Sequence, residues 1–332
     1  MNGVVLVPEI LERVNAEALL PKETDRRLRD LVVAWLLTCG GAETRKAYGS
    51  DFREFGTFVE KMFGRIVWDG LTGMGASAYV AWLKGRLEKR EIAPATVARK
   101  IASVSAFFEY CVGQNELSRN PLAKVKRPRV PKQPKSEVLS DDEVIRLREL
   151  LSSERIAAEK GKLLAPLRAA RFNEVVFNVM LGTGCRISEL LALRLCDVET
   201  RGDQGRLHFR TKGAEDHIVP VPRALVESVI EFARFVGIHS ATEHVFLFQN
   251  TKESAEKRIG RELMRLCKAV RIEKDVTPHV LRATVATSLH ERGVPIVHIQ
   301  RLLNHKDIST TAVYIRHIDQ RDEIWSTKLQ EH

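Results

Sequence analysis

Cysteine is scarce in this 332-residue chain and poorly placed for joint work. The five (Cys39, Cys111, Cys185, Cys196, Cys267) are scattered, odd in number and form no C-x-x-C pair. Neither a disulfide framework nor a zinc site is expected from them; they read as reduced thiols of a cytosolic protein, packed mostly as small apolar residues. No run approaches 18 uncharged apolar residues, so no membrane span is expected. The first ten residues, MNGVVLVPEI, lack a basic region ahead of an apolar core, so no signal peptide is evident. Internal repeats and low-complexity tracts are also missing. The most localised absence is of acid: RNPLAKVKRPRVPKQPK, from Arg119 to Lys135, holds seven basic residues and no carboxylate.

What is present points to a polyanion. Lysine and arginine total 53 against 43 acids, a formal net charge of +10, and 44% of residues are apolar. That length and apolar content suffice for one large core or two ordinary ones. The charge excess favours nucleic acid as partner. In the acid-free stretch, Pro121, Pro128, Pro131 and Pro134 disfavour helix and keep the chain extended. Arg119, Lys124, Lys126, Arg127, Arg129, Lys132 and Lys135 are then strung at intervals that suit a phosphate backbone. An ordinary solvated linker is the plain alternative.

This tether separates two regions of different pattern. Ahead of it, apolar residues recur at helical spacing: Leu28, Leu31, Val32, Trp35 and Leu36 within 24–37, then Tyr48, Phe52, Phe55, Phe58 and Val59 within 44–63. Another helix is expected over 76–89. Pro94 opens a further one, with Val97, Ile101, Val104, Phe107 and Phe108 inward and Arg99 and Lys100 outward. Beyond the tether, Ser140 and Glu143 form a capping-box pattern that starts a helix reaching about Leu151. A helix is expected near 173–181, and a glycine turn at Gly182 and Gly184 leads into another, RISELLALRL. Alternation over 206–210 and 217–221, with Lys212-Gly213 between, predicts a β-hairpin; a short strand is also expected at 245–248. Residues 152–168 read as an inserted loop or a helix extension. The division expected is a 1–23 extension, a helical domain over 24–118, a linker over 119–137, and a mainly helical domain with a small antiparallel sheet over 138–332.

The chemistry concentrates in that last region. His279 and Arg282, three apart, share a helix face; His305 and Tyr314 follow. Attack on a phosphodiester builds charge on the nonbridging oxygens, and Arg186 and Arg282 can each give two parallel hydrogen bonds there. Tyr314 can be the nucleophile; with a reference pKa of about 10, it needs nearby positive charge or a base. His279 and His305 are candidates to move that proton and to hold the phosphate. Lys212 can protonate the departing 5′ oxygen, and Glu189, one helical turn after Arg186, can orient that arginine. His208, His239 and His244 read as structural.

Four blocks carry this set in order: TGCRISELLAL, KGAEDHIVP, HVLRATVATSL and LLNHKDISTTAVY. They resemble the tyrosine recombinase (phage integrase) family, Xer- or integrase-like. TRKAYGSDFREF, APATVARKIASVSAFFEYC and NPLAKVKRP resemble that family's core-binding domain and linker. The resemblance implies a SAM-like helical core-binding domain and a catalytic domain, closing as a clamp around double-stranded DNA. It assigns Arg186 and Arg282 to the phosphate, Lys212 as general acid, His279 and His305 to the two histidine positions, Tyr314 as nucleophile and Glu189 as support. It implies site-specific strand exchange through a 3′-phosphotyrosyl link, with no metal or high-energy cofactor. Dimers on one site, homo-tetramers on synapsed sites, accessory recombinases and a cytoplasmic, nucleoid-associated location are implied too. A topoisomerase that relaxes one duplex, or a non-catalytic architectural DNA-binding protein, would share much of this pattern. Four positions depart from the family's pattern: Ala283 for a histidine after the motif's arginine, Asn304 for the usual glycine, and Glu215 and His217 at hairpin positions that are often basic.

Overall fold

The computed structural model describes residues 26–64, 71–130, 137–210, 216–247 and 252–305. The chain divides into two compact units, Met1–Pro131 and Lys132–His332. In the first, α1 (Arg26–Thr38), α2 (Ala42–Phe63), α3 (Ala76–Glu88) and α4 (Pro94–Gly113) each bury an apolar stripe. The aromatic positions expected to face inward do so. Phe52 and Phe107 lie 4.4 Å apart between ring centroids, with Trp35 packed edge-on to Phe107 at 5.4 Å. These rings are the core of the bundle and present no stacking surface.

Lys100 corrects the expectation that it faces outward. It is only 9% exposed, and its ammonium donates to Glu54 at 2.8 Å and to Asp51, itself 1% exposed, at 3.5 Å. Position 100 lies three residues after Val97 and four before Val104, inside the apolar stripe of α4. A charge is tolerated there because α2 supplies carboxylates at the same level. Arg99 also donates to Asp51, and the Tyr79 hydroxyl donates to Glu54 at 2.9 Å, so the cluster links α2, α3 and α4.

The basic stretch begins folded against this bundle. The Asn120 amide donates to the Ser105 carbonyl at 3.1 Å and to Glu109 at 2.9 Å, while its own oxygen accepts from the Leu122 N–H. Leu122 is buried in the same core and Val125 packs on it. Residues 121–124 therefore form a turn, not extended chain. Arg119, Lys124, Lys126, Arg127 and Arg129 all remain exposed; Lys132 and Lys135 lie outside the described residues.

In the second unit, α5 (Asp141–Gly161) starts at the expected capping box: the Glu143 N–H donates to Ser140 Oγ at 3.2 Å and the Ser140 N–H to the Glu143 carboxylate at 2.7 Å. It runs ten residues past Leu151, because Arg155 pairs with Glu159 one turn on and with Glu174 of the next helix, at 3.1 and 2.7 Å. That helix, α6 (Leu164–Thr183), begins nine residues before the expected 173. Residues 152–168 are thus the end of one helix and the start of the next. After α7 (Ile187–Ala192), the sheet has the order β1-β2-β3 and is antiparallel throughout: β1 (Val198–Arg201), β2 (Gln204–Arg210) and β3 (Asp216–Pro222). The hairpin was expected and β1 was not, since only Val198 of VETR is buried and no alternation shows. No strand forms over 245–247; His244 makes a single bridge to Arg194, and the Val245 N–H donates to Leu193. Four helices complete the described part: α8 (Arg223–Phe235), α9 (Lys252–Ala269), α10 (Pro278–Glu291) and α11 (Ile296–Leu302). Among the described helices none is long and apolar enough to cross a membrane.

Candidate active site

The site is built where the C-terminal ends of α6 and α11 meet the first turns of α7 and α10. Gly184 ends α6 with φ +64°, a conformation that side chains rarely adopt. A Cβ there would lie 2.4 Å from Leu303 Cδ2, so only glycine lets the chain after α11 come this close. Its carbonyl accepts a 2.7 Å hydrogen bond from Arg282 Nη1, and Nη2 of the same guanidinium donates to the Leu303 carbonyl. Arg282 is 2% exposed. It comes from the second turn of α10, whose start is dictated locally: Thr277 caps it, accepting from the Val280 N–H, and Pro278 occupies the first turn.

Arg186 is held from its own helix. Glu189 accepts from the Arg186 backbone N–H at 2.8 Å through one carboxylate oxygen and from Nη1 at 2.7 Å through the other. Nη2 donates to the Asn304 carbonyl at 3.2 Å. The Arg186 side chain nonetheless stays 42% exposed, so this guanidinium is fixed yet open to a ligand. Asn304 has φ +48°. That explains why glycine is usual at this position and why asparagine, with its tolerance of the left-handed region, can replace it. Ala283 packs with Ala286, Ile299 and Leu303 in a small apolar cluster between α10 and α11.

Three imidazoles surround the arginines. His305 is 7% exposed, and its backbone is locked to Gln300 by reciprocal bonds of 3.1 and 3.0 Å. Burial, then the positive charges of Arg282 and Arg186 and the neighbouring His279, lower its pKa to about 4. His279, at the exposed rim, is held below the usual imidazole range by desolvation and by the same two arginines. His217, from β3, is lowered by burial and by those arginines, against the opposing pull of Glu189 and the Arg301 carbonyl. All three are therefore neutral at pH 7. In the sequence His217 stands out only as a departure from a position that is often basic. The period-two pattern His217, Val219, Val221 on the buried face of β3 was the available signal.

Of the residues singled out from sequence, the structure brings Arg186, Glu189, His279, Arg282 and His305 to one place. Lys212 and Tyr314 lie outside the described residues. Among neighbouring thiols, Cys185 is buried beside Arg186 with its pKa pushed up to about 12, so it stays protonated and packs as an apolar group.

The depressed histidines make stability depend on pH in a definite direction. The unfolded chain binds a proton at His305 near pH 6.5, while the folded chain resists one until about pH 4. Stability from this group is complete above about 6.5 and is lost as pH falls toward 4. Between pH 7 and pH 5 the loss from His305 should be about 2 kcal/mol. Urea unfolding at both pH values should show a smaller drop for His305→Asn than for the unsubstituted chain.

Two pinned guanidiniums flanked by the neutral imidazoles of His279 and His305 have the chemistry to bind an oxyanion such as a phosphodiester and to move a proton beside it. Comparison with known proteins gives it a family. The phage integrase family profile matches residues 139–321. A tyrosine recombinase XerD of Listeria innocua is 30% identical over 280 residues, covering 82% of this chain and 87% of that protein. A tyrosine recombinase XerC of Syntrophus aciditrophicus is 29% identical over 286 residues, covering 82% and 86%. In fold, the chain is similar to a XerH site-specific recombinase bound to palindromic difH in a post-cleavage complex, with TM-score 0.65, 15% identity and coverage of 96% and 95%. It is also similar to a lambda integrase tetramer bound to a Holliday junction, with TM-score 0.59, 17% identity and coverage of 93% and 82%. The chain belongs to the phage integrase family and is a tyrosine recombinase, a DNA strand transferase.

Proposed function

We propose that this recombinase cleaves and rejoins double-stranded DNA at a specific site, with Tyr314 as nucleophile. The observation that carries the reading is the fixed pair Arg186 and Arg282, one held by Glu189 and the other by two backbone carbonyls, beside neutral imidazoles. Donors preset in this way stabilise charge on a transition state without reorganising.

Cleavage then runs as follows. The Tyr314 oxygen bonds to phosphorus as the bond from phosphorus to the 5′ oxygen breaks. The phenolic proton passes to a neutral imidazole, His279 at the exposed rim being the candidate, while His305 donates to a nonbridging oxygen. Lys212 protonates the leaving 5′ oxygen. A bound phosphodiester brings negative charge beside Arg186 and Arg282, which raises the basicity of both histidines just when a proton must be accepted. In the second half, a 5′ hydroxyl of a partner strand attacks the phosphotyrosyl link and releases Tyr314. One phosphoester is exchanged for another, so no ATP is required.

The exposed cations Arg119, Lys124, Lys126, Arg127 and Arg129, together with Lys132 and Lys135 further along the sequence, would follow the duplex backbone. Lambda integrase has been seen as a dimer on a core site and as a tetramer on a Holliday junction. The same assembly states are proposed for this chain, in the cytoplasm on the nucleoid, with accessory recombinases at some sites. The test is covalent capture on a pool of nicked duplexes carrying genomic sequence. Adducts that survive denaturant should map to paired half-sites, and the attached peptide should contain Tyr314. Absence of any adduct across the pool would defeat the proposal.

A further inference from the structure

His217 lies outside the catalytic set, yet its contacts tie the hairpin to the site. It is the second residue of β3, in register with Phe209 of β2, and the two rings lie 6.4 Å apart. Its Nε2 sits 3.1 Å from the Arg301 carbonyl oxygen. A carbonyl only accepts, so Nε2 carries the hydrogen and Nδ1 the lone pair. Nδ1 is buried with no partner among the described residues. Side chains of Glu189, from α7, Arg186, just before it, and Arg282, from α10, act on the same ring electrostatically.

Arg301 belongs to the last turn of α11, three residues before Asn304, whose carbonyl accepts from Arg186, and four before His305. One hydrogen bond therefore joins the start of β3 to the turn that presents His305 and braces Arg186. On its other side, β3 is the return strand of the hairpin that carries Lys212, whose base is closed by the pair Arg210 and Asp216. Two residues of chain span at most about 7 Å. Lys212, two residues after Arg210 in the sequence, is tied to that base by the covalent chain.

We infer that His217 is a positioning residue, which through its bond to the Arg301 carbonyl sets the hairpin against the phosphate pocket so that Lys212 can protonate the departing 5′ oxygen. The inference rests on the recombinase reading and assigns a residue beyond it. In the step concerned, the bonding pair between phosphorus and the 5′ oxygen goes to that oxygen together with a proton from the Lys212 ammonium. His217 neither gives nor takes that proton. Its loss should slow cleavage only where the leaving group needs protonation.

The test compares unsubstituted protein, His217→Ala and His217→Gln on nicked site duplexes with either the ordinary oxygen or a sulfur at the 5′ bridging position of the scissile phosphate. A thiolate departs without a proton, because thiol pKa values lie near 8.5. On the oxygen duplex, His217→Ala should form adduct about 10-fold to 100-fold more slowly at saturating DNA, the scale on which a misplaced catalytic group is felt. DNA affinity should be unchanged. On the sulfur duplex the same variant should come within about threefold of the unsubstituted protein, since the barrier it raises is absent there. His217→Gln, whose amide can donate to the Arg301 carbonyl, should retain most of the rate on oxygen. An equal loss on both duplexes would overturn the inference, because His217 would then be supporting the arginine pocket or the fold. Full activity of His217→Ala on oxygen would overturn it too. If the unsubstituted protein formed no adduct on either duplex, the recombinase reading itself would fall, and the inference with it.

Discussion

The Tyr314→Phe protein is expected to bind its DNA site with unchanged affinity and to form no covalent adduct. Phenylalanine keeps the ring and removes the oxygen, so phosphate contacts survive while bond formation does not. The loss should be on the order of 10⁶ in cleavage rate, the scale on which removal of a covalent nucleophile is felt. The other three tyrosines of the chain are Tyr48, Tyr79 and Tyr110, and none offers a substitute. Tyr48 stacks on Trp35 with centroids 5.7 Å apart. Tyr79 is buried and donates to Glu54; burial and that carboxylate hold it well above the usual phenol range. Tyr110 is also raised by burial and packs on the N-terminal core. Denaturing gels of nicked duplex with each protein decide the matter. Persistence of the adduct in Tyr314→Phe would move the nucleophile to another residue.

The second large effect is expected at Arg282, and it separates into two parts. Arg282→Ala should slow adduct formation by roughly 10²–10³, as when a preset donor to a developing oxyanion is removed. It should also destabilise the fold. The carbonyls of Gly184 and Leu303 would lose their guanidinium donors, and each buried acceptor left without a partner costs about 1–3 kcal/mol. Relief of the desolvated charge offsets part of this, which leaves a net loss of about 2 kcal/mol. Arg186→Ala should show a comparable rate loss with a smaller loss of stability, because the Arg186 side chain is 42% exposed and the buried Glu189 carboxylate keeps its bond from the backbone N–H of residue 186. Cleavage rates paired with urea unfolding of the two variants measure the split. Arg282→Lys should recover little in either assay, since an ammonium cannot span two carbonyls as the planar fork does. Equal stability of the two alanine variants would contradict the stapling role of Arg282.

Much of the fold was legible because helices declare themselves over short distances. The stripes through Trp35, Phe52, Phe107 and Phe108 and the capping box of Ser140 and Glu143 are local patterns, and each formed as read. The structure departs from the local pattern where neighbours in space outweigh neighbours in sequence. Lys100, expected to face outward, lies within the apolar stripe of α4, and carboxylates on α2 make that position habitable. The stretch 152–168 was ambiguous until Arg155 found Glu174 across the interhelical contact. In β1, three of four residues are solvent-facing, so its hydrogen bonds to β2 rather than any side-chain pattern make it a strand.

The candidate site divides along the same line. Pairs three residues apart, Arg186 with Glu189 and His279 with Arg282, were visible in the sequence, because one helical turn brings such residues together whatever the rest of the chain does. Residue type then determined the chemistry on offer: paired donors for phosphate, imidazoles for protons, a phenol for attack. Only the tertiary structure decided that Arg282 is buried and stapled between Gly184 and Leu303, that Arg186 stays open, and that His217 belongs with them. It also made the histidines neutral, because burial and two guanidiniums act across segments separated by scores of residues. Those are effects of desolvation and Coulomb interaction through space, which no spacing along the chain encodes.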